Sequence, residues 1–388
     1  MNSFENTEIA FKSKSDKDLN RAYWLFKIIG SPSMVSFGKS ATNMAIKFNL
    51  PIKGMIKKTI FKQFCGGETI NECDPAIQTL GAFGIGTILD YSVEGKTSEE
   101  DFDFTVKEII STIEKGKGNP MIPFAVFKVT GISRFGILEK VNDENAVLTD
   151  QEKLEFADVI ARVDKICKSA FESNVPVFID AEETWIQDTI DRLAIDMMKK
   201  YNSEKAIVFN TAQMYRHDRY VYIEKEIKAA REGNYHLGIK LVRGAYMEKE
   251  RKRAEEKGYP SPIQPDKAAS DRDFNKALEL IIDNIDTMAL CAGTHNEDSS
   301  LFLTELIEKK GIQKDDTRIF FAQLLGMSDH ISYNLAFNSY KVAKYVPYGP
   351  IKEVLPYLLR RADENTSVAG QTSRELGLIM KERKRRKA

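Results

Sequence analysis

Cysteine is scarce: the 388-residue chain has four, Cys65, Cys73, Cys167 and Cys291, with no CxxC spacing and no neighbouring histidine in a zinc pattern. That excludes a disulfide framework and a structural zinc site as organising devices. Net charge is missing too, because 57 Lys and Arg balance 57 Asp and Glu, so no overall field draws nucleic acid. No run approaches the ~20 apolar residues of a membrane span; the nearest, LGAFGIGTIL at 80–89, is short and rich in glycine. The opening MNSFENTEIAFKSKS has neither the basic and apolar blocks of a secretory signal nor the Arg-rich, acid-poor character of a transit peptide. A reducing cytoplasm is the expected compartment, and any membrane contact is expected to be peripheral.

Three nucleotide and metal signatures fail on inspection. Gly38-Lys39-Ser40 lacks the glycine that a phosphate-binding loop needs five residues earlier, where Ser33 stands. GAFGIG at 81–86 is not GxGxxG and precedes a strand instead of following one, so any dinucleotide is bound without a Rossmann fingerprint. No HxH ends the first strand, which argues against the metal-dependent hydrolases built on barrels. Low-complexity tracts are absent, and the only charge run is KERKRRK at 381–387.

What is present is a core and a rhythm. Hydrophobic residues make up 42% of the chain, enough for one large barrel or two ordinary domains. Residues 1–84 read as a helical segment, with helices over 22–29 and 52–64 and breakers at Pro32, Pro51 and Gly66-Gly67. From residue 85 the pattern turns to short β-rich runs: 86–93, 123–131, 175–182, 206–213, 237–244, 288–295, 318–325 and 342–349. Amphipathic helices alternate with them, among them 99–116, 154–171, 186–201 and 274–285. Eight strand-helix units favour a closed parallel (β/α)8 TIM-like barrel over 85–368, an α/β fold, with an open doubly wound sheet as the alternative. A basic tail, 369–388, follows; it is either a solvated helix end or a contact for anionic lipid.

In such a barrel the chemistry sits at the C-terminal ends of the strands, and here nearly every apolar run ends in a polar residue. Asp90, Lys128, Asp180, Gln213, Lys240 with Arg243, Thr294 with His295, Gln323 and Tyr345 stand at or near the eight tips. Asp180 either faces a pocket or caps the next helix. Lys128, costly inside an apolar strand unless paired, is expected to bridge to Asp180 across neighbouring strand ends, for support or for catalysis. His295, in GTHNED, is a capping or core imidazole or an anion contact at a helix N-terminus. Arg360 and Arg361, in YLLRRADENTS, point about 100° apart on a helix. They are one buried and one solvated arginine or, with Glu364 on their face, a bidentate grip on a carboxylate.

These runs carry a family resemblance. VFIDAEE, KLVRGAY, THNED, QLLGMSD, KYVPYGP and LLRRADENTS resemble, in order and wording, those of the proline dehydrogenases, over about residues 85–368. The resemblance implies a distorted barrel holding FAD noncovalently, in a chain with no room for the aldehyde dehydrogenase domain of bifunctional relatives. It implies that Arg360 and Arg361 clamp the carboxylate of L-proline while Tyr345, Tyr246 and Leu324 pack around its ring. Lys128 and Glu364 complete the polar wall, and Asp180 orients it. Gln213 is implied on the pyrimidine edge of the flavin, Lys240 near its reactive nitrogen, Val242 against it, and Thr294, His295 and Asn296 toward the rest of the cofactor. Many bacterial members have Arg in place of Lys240, so charge is kept and a planar fork is lost. The implied reaction moves a hydride from C5 of proline to flavin N5, giving 1-pyrroline-5-carboxylate, and a membrane quinone reoxidises the flavin. Tyr345 implies unsubstituted proline, since hydroxyproline enzymes of the family tend to carry a smaller residue there. A Schiff-base aldolase using Lys240 or Lys128, and an idle binding barrel, are the rival readings.

Overall fold

The computed structural model describes residues 3–31, 33–36, 53–93, 97–367 and 371–387; the expected breakers Pro32 and Pro51 and the start of the expected helix at Ile52 lie outside them. Eight strands run in the order β1 to β8 in a closed barrel: β1 (Ile85–Tyr91), β2 (Phe124–Lys128), β3 (Val177–Asp180), β4 (Val208–Gln213), β5 (Leu237–Val242), β6 (Met288–Gly293), β7 (Ile319–Leu324) and β8 (Val342–Tyr348). All eight expected runs are strands, each shorter than its apolar pattern. In the second, Val129–Gly131 leaves the sheet as a 3-10 turn, because apolar character also marks the buried loop that follows a strand. The helices used below are α1 (Asp16–Ile29), α2 (Glu99–Gly116), α3 (Asp150–Ser173), α4 (Thr184–Tyr201), α5 (Arg219–Gly233), α6 (Met247–Lys257), α7 (Lys267–Asp283), α8 (Glu297–Lys309), α9 (Asp329–Phe337), α10 (Ile351–Ser367) and α11 (Gln371–Arg385).

Local chemistry sets the helix starts. Ser98 caps α2 by accepting from the Asp101 N–H at 3.2 Å, ahead of three acidic residues in the first turn that suit the positive end of the helix dipole. Thr149 and Glu152 form a reciprocal capping box on α3. By contrast α4 follows Glu183, whose side chain does not cap it.

The chain divides into two compact units, Gly95–Ala322 and Asn2–Glu94 with Gln323–Ala388. In the first, Phe124, Phe178, Phe209 and Phe320 pack ring against ring, with Phe124 and Phe178 stacked at 4.4 Å and Phe320 edge-on to Phe124 at 4.8 Å. Side chains two or four positions further along a strand share its face, so Asp180 follows Phe178, Lys128 follows Phe124, and Thr211 and Gln213 follow Phe209. Pairing puts Lys128 opposite Asp180 and Gln213 opposite Val242.

In the second unit β1 pairs with β8 along its whole length, Ile85↔Val342 to Tyr91↔Tyr348. Phe61, Phe64, Leu355 and Leu358 form a core on which Leu324 packs. Gly326 has φ +76, and a Cβ there would lie 2.1 Å from the Gln63 carbonyl oxygen; only glycine lets the turn after β7 pass this close. The Gln63 amide donates to the Gly326 carbonyl at 2.9 Å. The basic run at 381–387 is mostly helical, within α11, and is partly used in packing. Arg385 and Arg386 grip Glu382, and Arg386 also donates to the Phe11 and Lys14 carbonyls.

Candidate active site

Within Gly95–Ala322 the strand tips bring charges together. The Asp180 carboxylate bridges two cations: Lys128 at 3.4 Å from one oxygen and Lys240 in direct contact with the other. Lys240 is 4% exposed, and its ammonium sits 5.2 Å from the centre of the Phe178 ring, so the aromatic floor of the barrel shields this ion pair from water. Burial pushes the Asp180 carboxyl up, but the ammonium groups of Lys240 and Lys128 outweigh it, leaving its pKa below the ordinary value.

Behind Asp180 stands a second buried acid. Glu182 accepts from the Thr130 N–H at 3.1 Å and from its hydroxyl, its own N–H donates to Gln187, and its carbonyl accepts from the Gln213 amide at 2.7 Å. Gln213 is thus oriented by the backbone of the β3 loop. Burial pushes the Glu182 carboxyl up to about 7, against the lowering effect of the Thr130 bonds. An acid raised on folding binds its proton more tightly in the native state, so stability falls as pH rises from 4.5 to about 7. The gap corresponds to a loss on the order of 3 kcal/mol. Thermal unfolding followed across that range is expected to show the decline, and Glu182→Gln to flatten it; an unchanged slope in the variant would assign the decline elsewhere.

Around β5 and β6 the donors change character. Gly244, at φ +135, lets the chain turn directly over the Tyr215 ring, where a Cβ would be 2.5 Å away, and so carries the chain from β5 to Tyr246. The Arg243 guanidinium donates to Asp271, to the Thr294 hydroxyl at 2.7 Å and to the Ser299 hydroxyl at 2.8 Å, and lies over the Phe274 ring at 4.4 Å. Asn296 caps α8 by accepting from the Ser299 N–H. Thr294, His295 and Asn296 therefore stand at a helix N-terminus beside a cation, an arrangement suited to an anion. Val242 is half-buried at the end of β5.

Within the other unit, Leu324 and Tyr345 are neighbours: the Leu325 N–H donates to the Tyr345 carbonyl at 2.8 Å, and Tyr345 is 8% exposed. On α10, Arg361 is buried, with its guanidinium 5.0 Å from the Tyr357 ring centre, whereas Arg360 is exposed. Glu364 is on the same helix, and its side chain lies outside the described residues.

A family model for proline dehydrogenase matches residues 73–374. The chain belongs to the proline dehydrogenase family. It is an oxidoreductase of that family, 33% identical over 98% of its length to proline dehydrogenase 1, mitochondrial, of Dictyostelium discoideum, of which it covers 74%. It is 32% identical to the carbapenem antibiotics biosynthesis protein CarD of Pectobacterium carotovorum subsp. carotovorum, over 86% of each chain. To proline dehydrogenase 1, mitochondrial, of Homo sapiens it is 36% identical over 80% of its own length and 48% of that protein. Among solved structures, proline utilization A (PutA) from Bdellovibrio bacteriovorus inactivated by N-propargylglycine superposes with a TM-score of 0.72 at 20% identity, covering 93% of this chain and 38% of that one. What is shared at that identity is the barrel fold. The chain thus spans about half of the human relative and less than half of the solved one.

Several residues of this proline dehydrogenase fold escaped the reading of the sequence. Lys344 carried the same signal as Lys128, a lysine inside an apolar strand, and is fully buried. Glu182 stands beside Asp180 in VFIDAEE, but nothing in the letters marks it as buried. Glu250 lies within the uniformly charged MEKERKRAEEK, where no local pattern separates an inward glutamate from a solvated one.

Proposed function

We propose that the chain oxidises L-proline to 1-pyrroline-5-carboxylate with noncovalently bound FAD, and that a membrane quinone takes up the electrons. The observation that carries the proposal is the Asp180 carboxylate holding two lysines at adjoining strand tips, inside the stretch that matches proline dehydrogenases. The donors present suit a flavin dinucleotide: an amide at Gln213, a cation at Lys240, and the Arg243 guanidinium with the α8 N-terminus for its diphosphate. When bound, FAD supplies the hydride acceptor.

The chain's own residues bind, orient and exclude water. Arg360 and Arg361 hold the substrate carboxylate, Glu364 and Lys128 complete the polar wall, and Asp180 fixes both lysines. Tyr246, Leu324 and Tyr345 pack the pyrrolidine ring and keep water from it. Val242 packs against the flavin, Thr294, His295 and Asn296 hold its remainder, and Lys240 supplies a fixed positive charge where negative charge develops. In this reading the catalytic body is 85–368, flanked by the helical 1–84 and the tail 369–388. No described helix is long and apolar enough to cross a membrane. On this proposal the chain lies in the cytoplasm, peripheral on the inner face of the membrane, where it meets the quinone. Lys384 and Lys387 of the tail remain exposed for such contact.

The Schiff-base alternative needs a free amine, and both candidate lysines carry an ion pair to Asp180 that the amine would have to leave. The test is the visible spectrum of the purified protein before and after anaerobic L-proline. A flavin spectrum that bleaches is expected; a colourless protein trapped by borohydride with substrate would establish the aldolase reading instead.

A further inference from the structure

Helix α6 follows Tyr246 directly, yet it has almost nothing apolar with which to dock: Glu250 and Ala254 are its only buried residues. Its attachment is polar. The Glu250 carboxylate, fully buried, accepts the backbone N–H of Thr184 at 2.7 Å and the Thr184 hydroxyl at 2.6 Å. Thr184 is the first residue of α4, whose N-terminus lacks a side-chain cap of its own; a glutamate from α6 fills that place, at the end of the helix that favours a negative charge. Around this contact Lys249 pairs with Glu183, Arg253 with Glu139 at 2.5 Å, and the Arg253 guanidinium lies 4.3 Å from the Trp185 ring centre.

Thr184 stands four positions after Asp180, and Glu250 four positions after Tyr246. The contact therefore ties the loop after β3 to the loop after β5. We propose that Glu250 is a positioning residue whose carboxylate clasps the start of α4, holding Asp180 and Tyr246 in the arrangement that binds substrate. The inference rests on the proposed reading of those two residues. It goes beyond that reading in assigning their alignment to a side chain remote from the reacting atoms.

A clasp of this kind acts through the fraction of molecules in the closed arrangement. Apparent affinity falls in proportion to that fraction, while a saturating substrate restores closure, so KM rises and kcat holds. A merely structural cap would lower the amount of active enzyme and leave KM unmoved.

The experiment compares holoenzyme carrying Glu250→Ala, Glu250→Gln and Thr184→Val with the unchanged chain, using L-proline and a soluble quinone, together with hydrogen exchange at the amides of 184–186. Glu250→Ala is expected to raise KM about tenfold with kcat within about twofold, and to lose protection at the Thr184 amide. Glu250→Gln, whose amide oxygen still accepts the N–H, is expected to stay within about threefold on KM and to keep that protection. A folded Glu250→Ala enzyme with unaltered KM, or with kcat reduced and KM unmoved, overturns the proposal. If Glu250→Ala does not fold, Thr184→Val decides, with a KM rise of about threefold expected and no rise overturning it. Wild-type turnover separates the two levels: an unchanged chain that leaves proline untouched defeats the functional reading, whereas the clasp fails on the variants' KM alone.

Discussion

Replacing Asp180 by Asn is expected to lower kcat/KM for proline at least a hundredfold while leaving flavin bound. The carboxylate contacts both Lys128 and Lys240. Lys240 is 4% exposed, so an amide in place of the charge removes the carboxylate that this buried ammonium contacts directly. Removing one partner of a buried pair typically costs about 3–5 kcal/mol, and a protein relieves that cost by moving the lysines or shedding a proton. Either outcome misplaces the positive charge proposed to act at the flavin. Steady-state kinetics with flavin content measured alongside decide the matter, and activity within tenfold of the unchanged enzyme would refute the assignment.

The second large effect concerns stability in the unit that holds Leu324 and Tyr345. Lys344, fully buried on β8, donates to the Leu324 and Met327 carbonyls at 3.3 and 2.6 Å and to Asp329 at 2.8 Å. Lys14, from the N-terminal segment, reaches the other oxygen of Asp329 at 3.0 Å. Burial pushes the Asp329 carboxyl up, but the charges of Lys14 and Lys344 prevail and hold it well below the usual range. Burial pushes the Lys344 ammonium the other way, below its ordinary value, with Asp329 opposing. Asp329→Ala is expected to cost about 3–5 kcal/mol in denaturant unfolding, because the buried lysine keeps two carbonyls and loses the carboxylate it contacts. A loss under about 1 kcal/mol would show that Lys344 finds another partner or gives up its proton cheaply. The sign with pH follows: an acid depressed on folding contributes fully above 3.8 and loses its contribution as pH falls further. That window lies below the one in which Glu182 acts.

The reach of Lys14 alters the meaning of the N-terminal segment. From the letters it is an accessory set of helices; in the structure Lys14 neutralises Asp329, Gln63 holds the turn after β7, and Phe64 packs with Leu324. Such contacts join residues hundreds of positions apart and leave no periodic trace. On the other side of the chain, α11 inserts Glu375, 3% exposed, where the Ser328 N–H donates to it. The expected tail is therefore in part a packed helix, a fact that its basic composition conceals.

Much of the candidate site was legible for a plain reason. A polar residue ending an apolar run is written locally, and the parallel barrel gathers strand ends, so Lys128, Asp180, Gln213 and Lys240 stand out before any coordinate is known. Asp180 and Lys128 stand opposite each other across β2 and β3, which makes their bridge a matter of register. The clasp at Glu250 was not legible, since its partner Thr184 comes from a different loop and its own helix is charged on every face.

The sequence by itself determined the alternation of strands and helices, the helix caps written within a few letters, and the family, through six ordered motifs. Tertiary structure alone decided which charges lose their water: Lys240 against Asp180, Lys344 beside Asp329, Glu182 buried within the loop after β3. The reason is that the pattern of neighbours along a chain reports local geometry, whereas desolvation depends on everything that surrounds a group in space.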